Sequence, residues 1–137
     1  MITVLLADDN KIVRRTLRLF LDQCADIRIV AEVDDGRSAI RLAQEHKPRI
    51  VVMDIAMPDM NGMDATRQIL STVPHLKVLA LSGSRERKAV ENMLNAGASG
   101  YVLKEDAFKE LAIAVREVAA GGTYMSPSIA GIVVDAL

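Results

Sequence analysis

The sequence predicts a three-layer α/β fold, a parallel sheet with helices on both faces. Two observations predict it. Five short, almost continuously apolar runs alternate with longer stretches whose apolar residues recur at helical spacing. Strands apolar on successive residues are covered on both faces, which is the habit of parallel sheets with right-handed helical crossovers.

The strands are expected at Ile2 to Ala7, Ile27 to Val33, Arg49 to Asp54, Leu76 to Leu81 and Ser99 to Leu103. A first helix begins near Asn10, a suitable N-cap, and turns Val13, Leu17, Phe20, Leu21 and Cys24 to one face. Its other face carries Lys11, Arg14, Arg15 and Arg18 and reads as solvated surface. The second helix spans about Gly36 to His46 and stops before Pro48, because a residue preceding proline avoids helical angles. A third follows Asn61-Gly62 and closes before Pro74. A fourth starts near Arg85, buries Ala89, Val90, Met93 and Leu94, and ends at Gly97. For the fifth, Asp106 offers the N-cap, Phe108, Leu111, Val115, Val118 and Ala119 form the stripe, and Gly121-Gly122 ends it. Ser126-Pro127 then starts a further apolar segment, Ser128 to Leu137, with Ser126 as cap and Pro127 in the first turn.

Composition narrows the function. The chain has 137 residues, half of them apolar, and 17 Lys+Arg against 18 Asp+Glu, so no overall field exists to hold nucleic acid or an anionic membrane. Only 3% of residues are aromatic, so the core is aliphatic. No apolar run approaches ~20 residues and no basic region precedes the first one, which leads to the expectation of a soluble, cytoplasmic protein without membrane contact. Cys24, the single cysteine, excludes an internal disulfide and reads as a packed thiol. His46 and His75 lack partners at metal-ligand spacing.

In open parallel sheets, ligands sit beyond the carboxyl ends of the strands. Asp8-Asp9 follows the first strand, Asp54 ends the third, Ser82 follows the fourth and Lys104 the fifth. Three carboxylates in one cleft repel, and a divalent cation relieves them. Magnesium suits oxygen donors and takes one or two carboxylates, matching Asp9 and Asp54 with Asp8 behind them, while Lys104 adds fixed positive charge.

Together, Asp8-Asp9, the stretch Asp54-Ile55-Ala56-Met57-Pro58-Asp59-Met60-Asn61-Gly62, Ser82-Gly83 and Tyr101-Val102-Leu103-Lys104 resemble the receiver domains of two-component response regulators, over nearly all of residues 1 to 125. The resemblance implies a flavodoxin-like, CheY-like doubly wound sheet of five parallel strands in the order 2-1-3-4-5, with an extra C-terminal helix. It implies that Asp54 accepts a phosphoryl group from a sensor histidine kinase. Mg2+ (or Mn2+) would be held by Asp9, Asp54 and the backbone carbonyl of Ala56, with Asp8 acting mainly through coordinated water. Ser82 and Lys104 would meet phosphoryl oxygens, and Tyr101 would turn inward as Ser82 moves. Lys104 is followed by Glu105 where many members carry proline, and Ser82 replaces the commoner threonine.

Such a chain is a signalling domain that assists its own phosphotransfer and slow dephosphorylation, not an enzyme. A haloacid-dehalogenase-like phosphatase would need a second acid two residues after the nucleophile, where Ala56 stands. The stretches Gly100 to Ala107 and Ala120 to Pro127 are similar to the NarL/LuxR-type subgroup, whose receiver is joined to a helix-turn-helix domain. The expected organisation is therefore a receiver over residues 1 to 122 and a linker helix over 123 to 137. The linker would lead to a missing DNA-binding domain, the only route to DNA, and homodimerisation on activation is a further expectation. The alternatives are a stand-alone phosphorelay receiver and an interaction module that works without phosphorylation.

Overall fold

In the computed structural model, which describes residues 1–136 and the side chains of residues 1–132, the strands form one parallel sheet in the order β2-β1-β3-β4-β5-β6. They are β1 (Ile2–Ala7), β2 (Ile27–Val33), β3 (Ile50–Asp54), β4 (Lys77–Ser82), β5 (Gly100–Leu103) and β6 (Tyr124–Met125). The expected order holds for the first five. The two-residue β6, pairing Gly100 with Tyr124 and Tyr101 with Met125, is an addition that no periodicity signals in so short a run. The helices are α1 (Lys11–Asp22), α2 (Gly36–His46), α3 (Gly62–Thr72), α4 (Arg87–Asn95), α5 (Ala107–Ala119) and α6 (Pro127–Ala136).

Alternation along the strands divides the core. Val4, Leu6, Ile50, Val52, Leu79, Leu81 and Val102 face α1 and α5, meeting Leu17, Leu21, Leu111, Val115 and Val118. Leu5, Ala7, Val51, Met53 and Val78 face α2 and α3, where Ala39, Ala43, Ala65 and Ile69 let the helices approach closely. Beyond them, Ala80, Tyr101 and Leu103 pack with Val90 and Met93 of α4 and Ile129 of α6. Full burial of each large aliphatic side chain contributes about 2 kcal/mol, so the aliphatic composition suffices for this core.

The helix limits follow local chemistry. Asn10, Asp35 and Asn61 each accept a hydrogen bond from the backbone N–H three residues on, capping α1, α2 and α3. Lys47 ends α2 in the left-handed region at φ 47°, the helical region being closed to it by Pro48. Gly97, at φ 109°, ends α4 with Ala98 N–H bonded to the Met93 carbonyl, a turn that strongly favours glycine.

Several expectations need correction. Phe20 and Phe108 do not join the core: they are 48% and 44% exposed and pack on each other with ring centroids 5.5 Å apart. Asp106 makes no capping bond, because Lys104–Asp106 forms a 3-10 turn that feeds α5 directly. Helix α4 starts at Arg87, two residues late, since Ser84 N–H bonds the Ser82 hydroxyl and Glu86 N–H the Ser84 hydroxyl in a tight loop. Ser126 does not cap α6 through its hydroxyl, which is engaged elsewhere. The basic face of α1 is not simply solvated: Arg14 and Arg18 lie 3.2 and 2.6 Å from Glu32 of β2. The side chains of Val133 and Val134, and Leu137 altogether, lie outside the described residues. No helix of the described residues is long and apolar enough to cross a membrane.

Candidate functional site

The register that builds the sheet also gathers its ends. Strand β1 stops at Ala7 and β3 at Asp54, and Asp54 pairs with Leu81, one residue before Ser82. Ser82 in turn pairs with Leu103, one residue before Lys104. Asp8, Asp54, Ser82 and Lys104 therefore emerge at the same edge of the sheet.

Asp8 is fully buried, and its Oδ1 accepts the Asn10 N–H at 2.8 Å, a turn that sets Asn10 to cap α1. Arg14 Nη1 donates from α1 back to the Asp8 carbonyl at 2.7 Å, a contact six positions apart that charge patterning does not reveal. Asp9 is exposed, at the mouth. Asp54 is 1% exposed; its Oδ1 accepts the Ala56 N–H at 3.1 Å and its Oδ2 accepts from Lys104 Nζ at 3.0 Å. The same ammonium lies 3.3 Å from Asp8 Oδ2.

The loop after Asp54 is fixed by close approach. Gly62 N–H bonds the Ile55 carbonyl at 2.9 Å, and a Cβ at position 62 would stand 2.5 Å from the Asp54 carbonyl oxygen. Met57 is buried and anchors the loop into the α2–α3 core. On the far side, a Cβ at Gly83 would meet nothing within 4 Å, so the entrance is open. Glu105 pairs with the Arg85 guanidinium, tying the loop after β4 to the turn after β5 at the rim. Among the described residues no peptide bond is cis, so the Lys104–Glu105 link is trans. That bridge spans positions twenty residues apart, and nothing in the linear pattern marks it.

Burial, reinforced by the charge of Asp8, pushes the Asp54 carboxyl up to about 7 despite the opposing pull of Lys104. Burial on its own would lower the Lys104 ammonium, but its hydrogen bond to Asp54 and the charges of Asp54 and Asp8 outweigh that and raise it. A group whose folded pKa exceeds its unfolded value favours the fold when protonated. The Asp54 contribution to stability in metal-free buffer should thus fall as pH rises from about 4 to about 7 and stay low above it. Urea titrations of wild type and Asp54→Asn across pH 5 to 8 check this: the wild type should lose stability relative to the variant as pH rises, and parallel curves would refute the shift.

The ligand oxygens of Asp8, Asp9 and Asp54 lie within 4.8 Å of one another, a cluster able to hold a divalent ion. Asp8 Oδ2 is buried and accepts no hydrogen bond of good geometry, meeting only the Lys104 ammonium as an ion pair at 3.3 Å, so further positive charge there is stabilising. An all-oxygen donor set with one exposed and two buried carboxylates fits Mg2+ or Mn2+.

Ser82 is buried and its Oγ accepts the Ser84 N–H at 2.9 Å. Tyr101 is fully buried, and its hydroxyl donates to the Ser84 carbonyl at 2.8 Å. The ring is inward in this structure, and burial raises its hydroxyl pKa. His46 and His75 are exposed and far from this cluster in the sheet. Of the residues expected at the site, Asp8, Asp54 and Lys104 are in direct contact, Asp9 joins through the acidic cluster, and Ser82 and Tyr101 meet through Ser84.

Comparison with known proteins agrees with this geometry. Residues 4–116 match the family described as the response regulator receiver domain. Response regulator GacA of Pseudomonas aeruginosa is 37% identical over 130 residues, which are 95% of this chain and 61% of that protein. The transcriptional regulatory protein DegU of Brevibacillus brevis is 37% identical over 128 residues, 93% of this chain and 54% of that one. The chain thus spans little more than half the length of these relatives. A crystal structure of a LuxR-family two-component response regulator from Aurantimonas sp. SI85-9A1 superposes with a TM-score of 0.92 at 34% identity, over 98% of this chain and 96% of that one.

Proposed function

This chain belongs to the response regulator receiver domain family, related to the LuxR/NarL type, and from that premise we propose that Asp54 takes a phosphoryl group from the phosphohistidine of a cognate sensor histidine kinase. As a receiver it is a signalling module of a two-component system, which implies such a kinase as partner. The observation that supports Asp54 as acceptor is its pairing with Lys104 at 3.0 Å inside an acidic, metal-competent cluster.

In the step itself, an Asp54 carboxylate oxygen attacks phosphorus, the new P–O bond forms as the P–N bond to imidazole breaks, and the imidazole leaves with the electron pair. Ala56 N–H holds Oδ1 and orients the carboxylate. Lys104 stands beside Oδ2, where it stabilises negative charge on the incoming phosphoryl oxygens. The Ser82 hydroxyl, at the neighbouring strand end, would donate to a phosphoryl oxygen, a movement that draws its Oγ away from the Ser84 N–H it now accepts. Asp9, Asp54 and the Ala56 carbonyl, with Asp8 behind them, are the groups that would hold Mg2+ or Mn2+, which supplies charge neutralisation when bound. Loss of the Ser82–Ser84 bond would be felt at once by Tyr101, which shares Ser84, so Ser82 and Tyr101 form the switch between the site and the face of α4, β5 and α5.

A small phosphodonor with Mg2+ tests this directly. The intact mass should rise by one phosphoryl group, labile to alkali and hydroxylamine as acyl phosphates are, and peptide mapping should place it on Asp54. A stable phosphoester, or a label elsewhere, would reject the assignment.

The output is a finer matter. DNA control through a domain joined by residues 123 to 137 is suggested by the greater length of the relatives, one of which is named a transcriptional regulator. The alternative of a receiver acting alone is supported by the Aurantimonas structure, nearly all of which this chain covers. Sequencing the gene beyond the codon for Leu137 separates the two.

A further inference from the structure

We propose that Ser126, outside the phosphoryl site itself, is a positioning residue for Lys104, and that the C-terminal segment thereby forms part of the site's support. Strand β6 runs along β5 through Tyr124 and Met125, and Ser126 N–H continues the ladder to the Tyr101 carbonyl at 3.0 Å. At this residue the chain leaves the sheet. The Ser126 carbonyl turns into α6 and accepts the Ile129 N–H at 2.9 Å, so it is lost to the Leu103 N–H that a continuing parallel ladder would offer it. The Ser126 hydroxyl takes its place, accepting the Leu103 N–H at 3.0 Å.

Both residues are fully buried, so without this hydroxyl the Leu103 N–H would be left without an acceptor. The hydroxyl is itself oriented. It donates to Glu110 Oε1 of α5 at 3.0 Å, and the Tyr124 hydroxyl donates to the same oxygen at 2.9 Å. Ser128, in the first turn of α6, donates to Asp106 Oδ2 in the 3-10 turn that begins at Lys104, at 3.4 Å. Leu103 is the last residue of β5 and Lys104 the next, so the clasp holds the strand end from which Lys104 reaches Asp54 and Asp8.

The inference rests on the phosphoacceptor reading for its effect on rate, but not for its geometry, so the test reads both. In Ser126→Ala, phosphorylation by a small phosphodonor with saturating Mg2+ should slow about tenfold, the scale that a sub-ångström misplacement of a charge-stabilising group produces. Glu110→Gln, which keeps an amide oxygen for both hydroxyls, should stay within about twofold of wild type, whereas Glu110→Ala should share the Ser126→Ala defect in part. Ile129→Ala, which loosens α6 while sparing the clasp, controls for destabilisation and should also leave the rate within about twofold. The side-chain NMR signal of Lys104 should shift in Ser126→Ala and not in Ile129→Ala. An unmoved Lys104 signal in Ser126→Ala overturns the positioning role whatever happens to phosphorylation, as does an Ile129→Ala rate as low as that of Ser126→Ala. Absence of label on Asp54 in the wild type strikes the earlier reading instead, and the Lys104 signal still decides this one.

Discussion

Asp54→Asn is expected to abolish phosphorylation, lowering incorporation from a small phosphodonor or a phosphorylated kinase by at least about a thousandfold, because it removes the attacking oxygen outright. Asn keeps the shape and one carbonyl oxygen, so the Ala56 N–H retains an acceptor and the loop has no reason to move. The variant should also be no less stable than wild type in metal-free buffer above pH 7. There the wild-type carboxylate is charged, buried at 1% exposure and next to Asp8, the condition that pushes its pKa up to about 7. Loss of label therefore cannot be blamed on unfolding, and circular dichroism alongside the mass measurement verifies this. Label acquired by the variant at the wild-type rate would move the acceptor to another residue.

Lys104→Ala has the second largest expected effect, and its signature is different. The ammonium is the one cation among the described residues placed against both buried carboxylates, 3.0 Å from Asp54 and 3.3 Å from Asp8. Its removal takes away a preorganised stabiliser of phosphoryl charge, and the rate should fall about a hundredfold. It also strands two buried negative charges, a loss of about 3 kcal/mol at pH 8 in the absence of metal. The stability defect should shrink toward pH 6, where Asp54 takes up a proton more readily once its counter-ion is gone. Added Mg2+ should stabilise this variant more than the wild type. Asp9→Asn offers the contrast: Asp9 is exposed, so its loss should weaken Mg2+ binding and slow phosphorylation with little change in metal-free stability. Thermal unfolding with and without Mg2+ distinguishes the two patterns, and equal metal-free stability of Lys104→Ala and wild type at pH 8 would contradict the ion-pair geometry.

Much of this was legible in the linear sequence, for a physical reason. Strands buried on both faces leave continuous apolar runs, so β1 and β2 were readable to the residue, and β3, β4 and β5 to within one. The carboxylates and Lys104 stand out because charged residues directly after such runs have nowhere to point but the strand ends. Features that depend on pairing distant groups were hidden. Phe20 and Phe108 fit the apolar stripes of their helices, yet each lies at a stripe's margin and finds the other instead of the core. Ser126 followed by Pro127 has the form of a helix cap, but its hydroxyl is drawn to a buried N–H from a strand over twenty positions away. Arg14, Arg85 and Glu105 are ordinary surface residues by pattern, and only the fold reveals that they brace the site.

Two residues of β6 also change how this domain meets other chains. Without them β5 would be the margin of the sheet, presenting Gly100, Tyr101, Val102 and Leu103 with unpaired backbone groups, and such apolar margins invite strand addition and aggregation. The C-terminal segment covers this margin with backbone of its own and then turns away as a helix, offering little more than two residues for any intruding strand to extend. The opposite margin, β2, is longer but alternates exposed Arg28 and part-exposed Glu32 with its apolar positions, and Glu32 is gripped by the arginines of α1. Strand addition at the margins of this sheet is thus opposed by charge at one side and by brevity at the other.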